Sequence, residues 1–200
     1  RRWYHTCSGE HAAVLRGCKL KGWERVGYTL PSHPMFDGYI EVLRRYLGEN
    51  WNPIKVARDG CGLPTVSNTV GELAQLLSGL AMDQDEDWIW EAMVKKPDLV
   101  GGFNRLDSTV IKAGKGKVIA KEGADGLLGM AIIHPDYPKG LGVAIKIAHG
   151  LLSSDVHLTS LASAAIPAYT FGVHLNEISI VNERRALMLR VIDPSSRTIF

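Results

Sequence analysis

In the first half of the chain, apolar residues recur at the spacing of helix faces. Ser8 and Glu10 precede the apolar run Ala12, Ala13, Val14 and Leu15, so Ser8 reads as an N-cap and Glu10 as a first-turn acid, with Gly22 as the stop. Met35, Tyr39, Val42, Leu43, Tyr46 and Leu47 predict a second helix over 34–48, entered at Pro34 and closed by Gly48. Val70, Leu73, Leu76, Leu77 and Leu80 predict a helix over 70–81. Trp88, Ile89 and Met93 predict another over 86–96, ended by Pro97. Between these, "DGCGLPT" at 59–65 is a tight loop punctuated by glycine.

The second half changes character. Lys117 to Lys121 reads as a short strand, Glu122 to Gly126 as a turn, Leu127 to Ile133 as a second strand and Leu141 to Ile147 as a third. Their short connections predict an antiparallel meander. A helix around 155–166 is expected to lie against it, and Glu177 to Ile180 to add another strand. The fold class is therefore α+β, a helical group packed on an antiparallel sheet.

Composition narrows the function classes. Apolar residues make up 46% of the 200, enough for a packed core, which argues against disorder. Net charge is only +2 and the basic residues form no stripe, which argues against a dedicated nucleic-acid binder. The acidic run at 83–87 fits the solvated start of a helix. No apolar stretch reaches the roughly 18 residues that a membrane helix needs. Three cysteines cannot all pair, and no leader-like segment follows Arg1, which together predict a reducing, cytoplasmic setting. The abrupt start at Arg1 gives the expectation that the sequence is the later part of a longer protein, a single domain over 1–200 lacking its N-terminal portion.

Candidate chemistry concentrates in a few places. "TCSGEH" at 6–11 puts Cys7 and Glu10 around a helix start, three residues apart, where their side chains can converge. Cys61 lies beside Asp59 in the glycine-punctuated loop. Two thiolates and a carboxylate form a reasonable zinc set with water in fourth place. On spacing alone, the plainer alternative of small buried cysteines outweighs it. Cys18, within a helix pattern, reads as core. Lys121, followed by Glu122 and Gly123 at a strand end, is similar to the K-T-G element of penicillin-recognising serine enzymes; the alternative is an ordinary surface lysine. Thr109-Val110-Ile111-Lys112 is the nearest approach to S-x-x-K. Arg105 and Asp107 can hold the carboxylate and amine of an amino acid, or can be a surface pair at a helix cap formed by Asp107 or Ser108. His33, His134, His149, His157 and His174 show no ligand spacing; His11 stands apart through its neighbours.

Six segments occur in a telling order: "CSGEHAAVL" at 7–15, "LPSHPMFDGYIEVL" at 30–43, "DGCGLPT" at 59–65, "GGFNRLDSTV" at 101–110, "KVIAKEGADGLLGMAI" at 117–132 and "LGVAIKIAHG" at 141–150. Together they resemble the asparaginase II family, the rhizobial-type class 3 L-asparaginases, over about residues 1–150. The resemblance implies hydrolysis of asparagine to aspartate and ammonia, on a fold similar to serine β-lactamases and glutaminases. It implies a serine nucleophile in an S-x-x-K segment upstream of these residues, a second serine paired with the motif lysine, and a homodimer. Carried over by motif, Cys7 and Cys61 are zinc ligands, Asp59 is a neighbouring or substrate-facing group, and Lys121 is the catalytic-site lysine. His11, Arg105, Asp107 and Gly123 complete the expected substrate-binding set.

The chain departs from the family pattern in specific ways. Glu10 stands where the family has a lysine that binds zinc, and a carboxylate serves that role with opposite charge. Asp125 replaces a glutamate, and Ala148-His149 an acidic pair. Two readings follow. One is an L-asparagine amidohydrolase that works by a serine/lysine route beside a zinc site. The alternative is a truncated or catalytically inactive relative of the same fold, serving in binding or structure. A weaker third, a penicillin-binding-type enzyme, would show acylation by a β-lactam.

Overall fold

The computed structural model describes residue 5, residues 7–85, 88–103, 105–124, 126–135 and 137–146, and the backbone of 188–192. The expected helix at 155–166 and strand at 177–180 lie outside the described residues. The chain divides into two compact units, Arg1–Asn68 and Thr69–Phe200.

In the first unit, α1 (Ser8–Lys21) and α2 (Pro34–Leu47) precede a small hairpin of β1 (Val56–Arg58) and β2 (Pro64–Val66). Helix α1 begins one residue earlier than the Ser8 cap reading: Cys7 is the N-cap and Ser8 the first helical residue. No side chain caps this end. The chain turns in through backbone bonds, with Ser8 N–H donating to the His5 carbonyl at 3.0 Å and His11 N–H to that of Cys7 at 3.1 Å. At the other end Gly22 adopts φ 69°, the left-handed conformation glycine takes without penalty, which lets Trp23 N–H reach the Cys18 carbonyl. Helix α2 starts at Pro34, as its fixed φ favours, and His33 is its N-cap. The buried His33 ring accepts the Met35 N–H at Nδ1 and donates from Nε2 to the Glu24 carbonyl, tying the α1–α2 connection to α2. Trp23 packs edge-on against that ring. Cys18, Phe36, Leu43 and Pro64 are the buried apolar side chains of this unit among the described residues.

The second unit is built on an antiparallel sheet of strand order β3-β4-β5-β6, formed by β3 (Val118–Gly123), β4 (Leu127–His134), β5 (Tyr137–Lys146) and β6 (Met188–Ile192). Both faces of the sheet are covered. Val118, Ala120, Leu128, Met130, Ile132, Leu141, Val143 and Ile145 alternate onto one face and pack with Leu106, Val110 and Ile111 of α5 (Leu106–Ala113). The opposite face carries Ile119 and Ala131, which meet Ala81 of α3 (Val70–Met82) and Trp90 of α4 (Trp88–Lys95). Helix α3 lies on β5 with almost no side chain between the backbones. A methyl at Gly142 would run into the Ala74 carbonyl, and Ser78 Oγ donates to the Gly140 carbonyl at 3.1 Å. Thr69 and Glu72 form a full capping box at the start of α3, each side chain bonded to the other's backbone N–H. Pro97 ends the α4 pattern as expected and opens a single 3-10 turn, Pro97–Leu99.

The observed architecture is α+β with an antiparallel sheet, in agreement with the sequence pattern. No helix among the described residues is long and apolar enough to cross a membrane.

Candidate functional site

The first unit brings three of the expected ligands together. Cys7, Glu10 and Cys61 each offer one ligand atom, and these atoms lie within 4.8 Å of one another. Local structure explains the convergence. Cys7 is the N-cap residue of α1 and Glu10 stands one turn on, so both sit at the helix start, where the dipole favours negative charge. Cys61 comes from the turn between β1 and β2. Asp59 builds that turn: its Oδ1 accepts the N–H groups of Cys61 at 3.0 Å and Leu63 at 3.1 Å, and its own N–H donates to the Leu63 carbonyl at 3.0 Å. Gly62, at φ 95°, makes the sharp bend that only glycine accepts easily. The Cys61 thiol lies 3.1 Å from the same Asp59 oxygen.

The donor set suits a zinc ion. Tetrahedral zinc with bonds of about 2.0–2.3 Å spaces its ligand atoms by roughly 3.3–3.8 Å. The three atoms, within 4.8 Å of one another, lie close to that spacing. Cys7 and Cys61 are half-buried and Glu10 is exposed, which leaves room for a fourth ligand. The Cys61 thiol is shifted toward its protonated form. Desolvation comes first, and the hydrogen bonds to Asp59 and Cys7 and the charge of Asp59 add to it, pushing the thiol up to about 11. At Asp59, desolvation opposes ionisation, but the Cys61 thiol and the N–H groups of Cys61, Leu63 and Gly62 outweigh it and hold the carboxyl below its usual range. All three cysteines are free, and Cys18 is fully buried in α1, as its helical position implied.

His11 follows Glu10 on α1. Its Nδ1 and the Tyr28 hydroxyl are 2.6 Å apart, with the rings edge to face. The ring is thus fixed by the α1–α2 connection.

The remaining expected residues fall in the second unit. Lys121 lies in β3, paired with Gly129 of β4, and Gly123 ends the strand opposite Leu127. Lys121 Nζ donates to Asp107 Oδ2 at 3.0 Å and to the Glu122 carbonyl at 3.1 Å. Asp107 is in the first turn of α5 with its carboxylate fully buried. Its Oδ1 accepts the Ser108 N–H at 2.9 Å, and its Oδ2 accepts the Glu122 N–H at 3.3 Å as well as the lysine. Arg105 is the N-cap residue of α5, where the sequence suggested Asp107 or Ser108, and its Nη2 grips both Glu122 oxygens at 3.1 and 3.2 Å. Asp107 leaves the capping role because its carboxylate is drawn to the end of β3, a tertiary contact that sequence spacing does not reveal. Thr109 and Lys112 are committed elsewhere, the hydroxyl to the Arg105 carbonyl at 2.8 Å and the ammonium to Asp98 at 2.6 Å.

Two supporting residues escaped the sequence reading. Gly101 faces the Asp107 carboxylate so closely that a methyl there would overlap it. The paired glycines at 101–102 were the available signal. His33 was set aside as a scattered histidine, and its place just before Pro34 was the clue to a cap.

No curated protein matches the chain. The sequence model of the L-asparaginase II family matches residues 1–165, which include the Cys7–Glu10 helix start, the Cys61 turn and the Lys121 strand. The match spans most of the 200 residues and supports an asparaginase-type hydrolase function with a small-molecule substrate: the chain belongs to the L-asparaginase II family.

Proposed function

We propose that this chain supplies the metal-binding and lysine-bearing parts of an L-asparagine amidohydrolase, which releases aspartate and ammonia by a serine/lysine route on a fold like that of serine β-lactamases and glutaminases. The observation that carries the reading is the convergence of Cys7 and Glu10, neighbours at one helix start, with Cys61, which is distant in sequence, all within the stretch that the family model matches.

In this reading a serine hydroxyl attacks the side-chain amide carbon of asparagine, ammonia leaves, and water then frees aspartate from the serine ester. No S-x-x-K occurs in the 200 residues, so the proposal assigns the nucleophile to a serine outside them. Lys121 contributes a fixed ammonium at the end of β3. Arg105 and Glu122 brace that strand end against α5. Cys7, Cys61 and Glu10 would hold a zinc ion, which supplies Lewis acidity for polarising an oxygen. Glu10 makes this ligand set fully anionic, where the family's lysine would contribute none of that charge. Asp59 and Gly62 keep Cys61 in reach, and the His11–Tyr28 pair stiffens the chain after Glu10.

The test is ammonia release from L-asparagine by the full chain loaded with zinc, alongside Cys61→Ala. Turnover that falls in Cys61→Ala supports the proposal. Absence of both turnover and L-asparagine binding, with zinc bound and the upstream serine segment supplied, overturns it in favour of a relative without activity.

A further inference from the structure

A carboxylate with no exposed surface costs heavily unless donors surround it. Asp107 meets that demand with two backbone N–H groups and one ammonium, that of Lys121. The two partners are unequal. The Asp107 side chain has 0% of its surface exposed, whereas Lys121 keeps 55%. Partial exposure keeps the ammonium hydrated and also leaves it open to a bound molecule. Here the buried partner anchors and the open partner is presented. The ammonium is held at two points, Asp107 Oδ2 and the Glu122 carbonyl, and of its three N–H groups one remains to face outward. Glu122 is itself held, through its carboxylate by Arg105 and through its N–H by Asp107. The first turn of α5 and the end of β3 thus form one rigid frame around Nζ.

The frame needs space beside Asp107. A side chain at Gly101 would meet Oδ1, Cγ and Oδ2 of that carboxylate, so a methyl there displaces the anchor without altering any charge. We propose that Asp107 is a positioning residue that fixes the Lys121 ammonium for the reaction, and that Gly101 supplies the room this requires. The proposal deepens the asparaginase reading and rests on it only for the role of Lys121.

The deciding experiment follows the ammonium signal of Lys121 in 15N-lysine-labelled protein, assigned by its loss in Lys121→Met. The parent shows a signal resolved from those of exposed lysines. Asp107→Asn, which keeps the size of the side chain, merges the signal with theirs, and so does Gly101→Ala, with far-UV circular dichroism unchanged. With L-asparagine, Asp107→Asn lowers kcat by about 10- to 100-fold and leaves KM within about twofold, as misplacement of a held group does. A Lys121 signal unchanged in both variants overturns the proposal, as does a loss confined to KM. The asparaginase reading fails separately: if Lys121→Met hydrolyses L-asparagine like the parent, the lysine has no part in the reaction, whatever the Asp107 variants do to its signal.

Discussion

Asp59 Oδ1 and the Cys61 sulfur are 3.1 Å apart, and the same oxygen carries the two backbone N–H bonds that fold the turn. One carboxylate therefore shapes the loop and restrains the thiol. The two groups shift in opposite directions, which gives the turn a pH signature at both ends. Cys61 titrates higher when folded than when unfolded, so its contribution is complete below the ordinary thiol value of 9.0 and is lost as pH rises toward about 11. Asp59 titrates lower when folded, so its contribution is complete above the ordinary carboxylate value and is lost as pH falls through its depressed one. Asp59→Asn keeps an acceptor oxygen in the turn and is expected to flatten both limbs. Urea midpoints of parent and variant across the pH range check this. The variant should also raise the alkylation rate of Cys61 at neutral pH by several-fold, roughly in line with a modest fall in thiol pKa.

Zinc binding at Cys7, Glu10 and Cys61 must displace the Cys61 proton. Titration with zinc in a weakly buffered indicator solution is expected to release at least about one proton per ion, with affinity rising as pH rises. Cobalt in the same site should show a thiolate charge-transfer band. Glu10→Ala is expected to weaken zinc by at least about tenfold and leave the band in place, because both sulfurs remain. Equal affinity in the variant would remove Glu10 from the ligand set.

The approach of α3 to β5 allows no side chain at Gly142. Gly142→Ala forces the Ala74 carbonyl away and is expected to cost about 1–3 kcal/mol or more, read as a lower urea midpoint. Gly9→Ala, at a position where the added methyl meets nothing, is the matched control and should not destabilise the chain.

Thr69→Ala removes half of the α3 capping box. The expected loss is about 1 kcal/mol, with Thr69→Ser restoring most of it, measured by the same unfolding transition.

The sequence disclosed what is periodic and local. The helices at 34–48 and 70–81 were plain from apolar spacing, and both are found within a residue or so of those bounds. The β3–β4–β5 meander was plain from its short connections. Strand ends were less so. Glu122 and Gly123 read as a turn yet pair in β3, because Arg105 and Asp107 hold them there. Strand β5 begins at Tyr137 rather than Leu141, its polar start hiding it from the apolar pattern. The hairpin β1–β2 has only three residues on each side, and β1 is wholly exposed, so hydrophobic patterning carries no signal for it. At the site, Cys7 and Glu10 were legible from helical geometry. Cys61 stands as a candidate third ligand from its glycine-punctuated loop, but the plainer reading of a buried cysteine outweighs it on spacing, because spacing across a loop says nothing about distance in space. The Asp107–Lys121 bond was not legible at all, since it depends on where α5 crosses the edge of the sheet.

The empty side of Gly101 carries an evolutionary corollary. Positions 101 and 107 behave as one locus, because a side chain at the first and a carboxylate at the second exclude each other. A library randomised at both should return viable pairs rather than independent tolerances: glycine with aspartate, or a larger residue at 101 accompanied by a smaller one at 107 and a lysine released to wander.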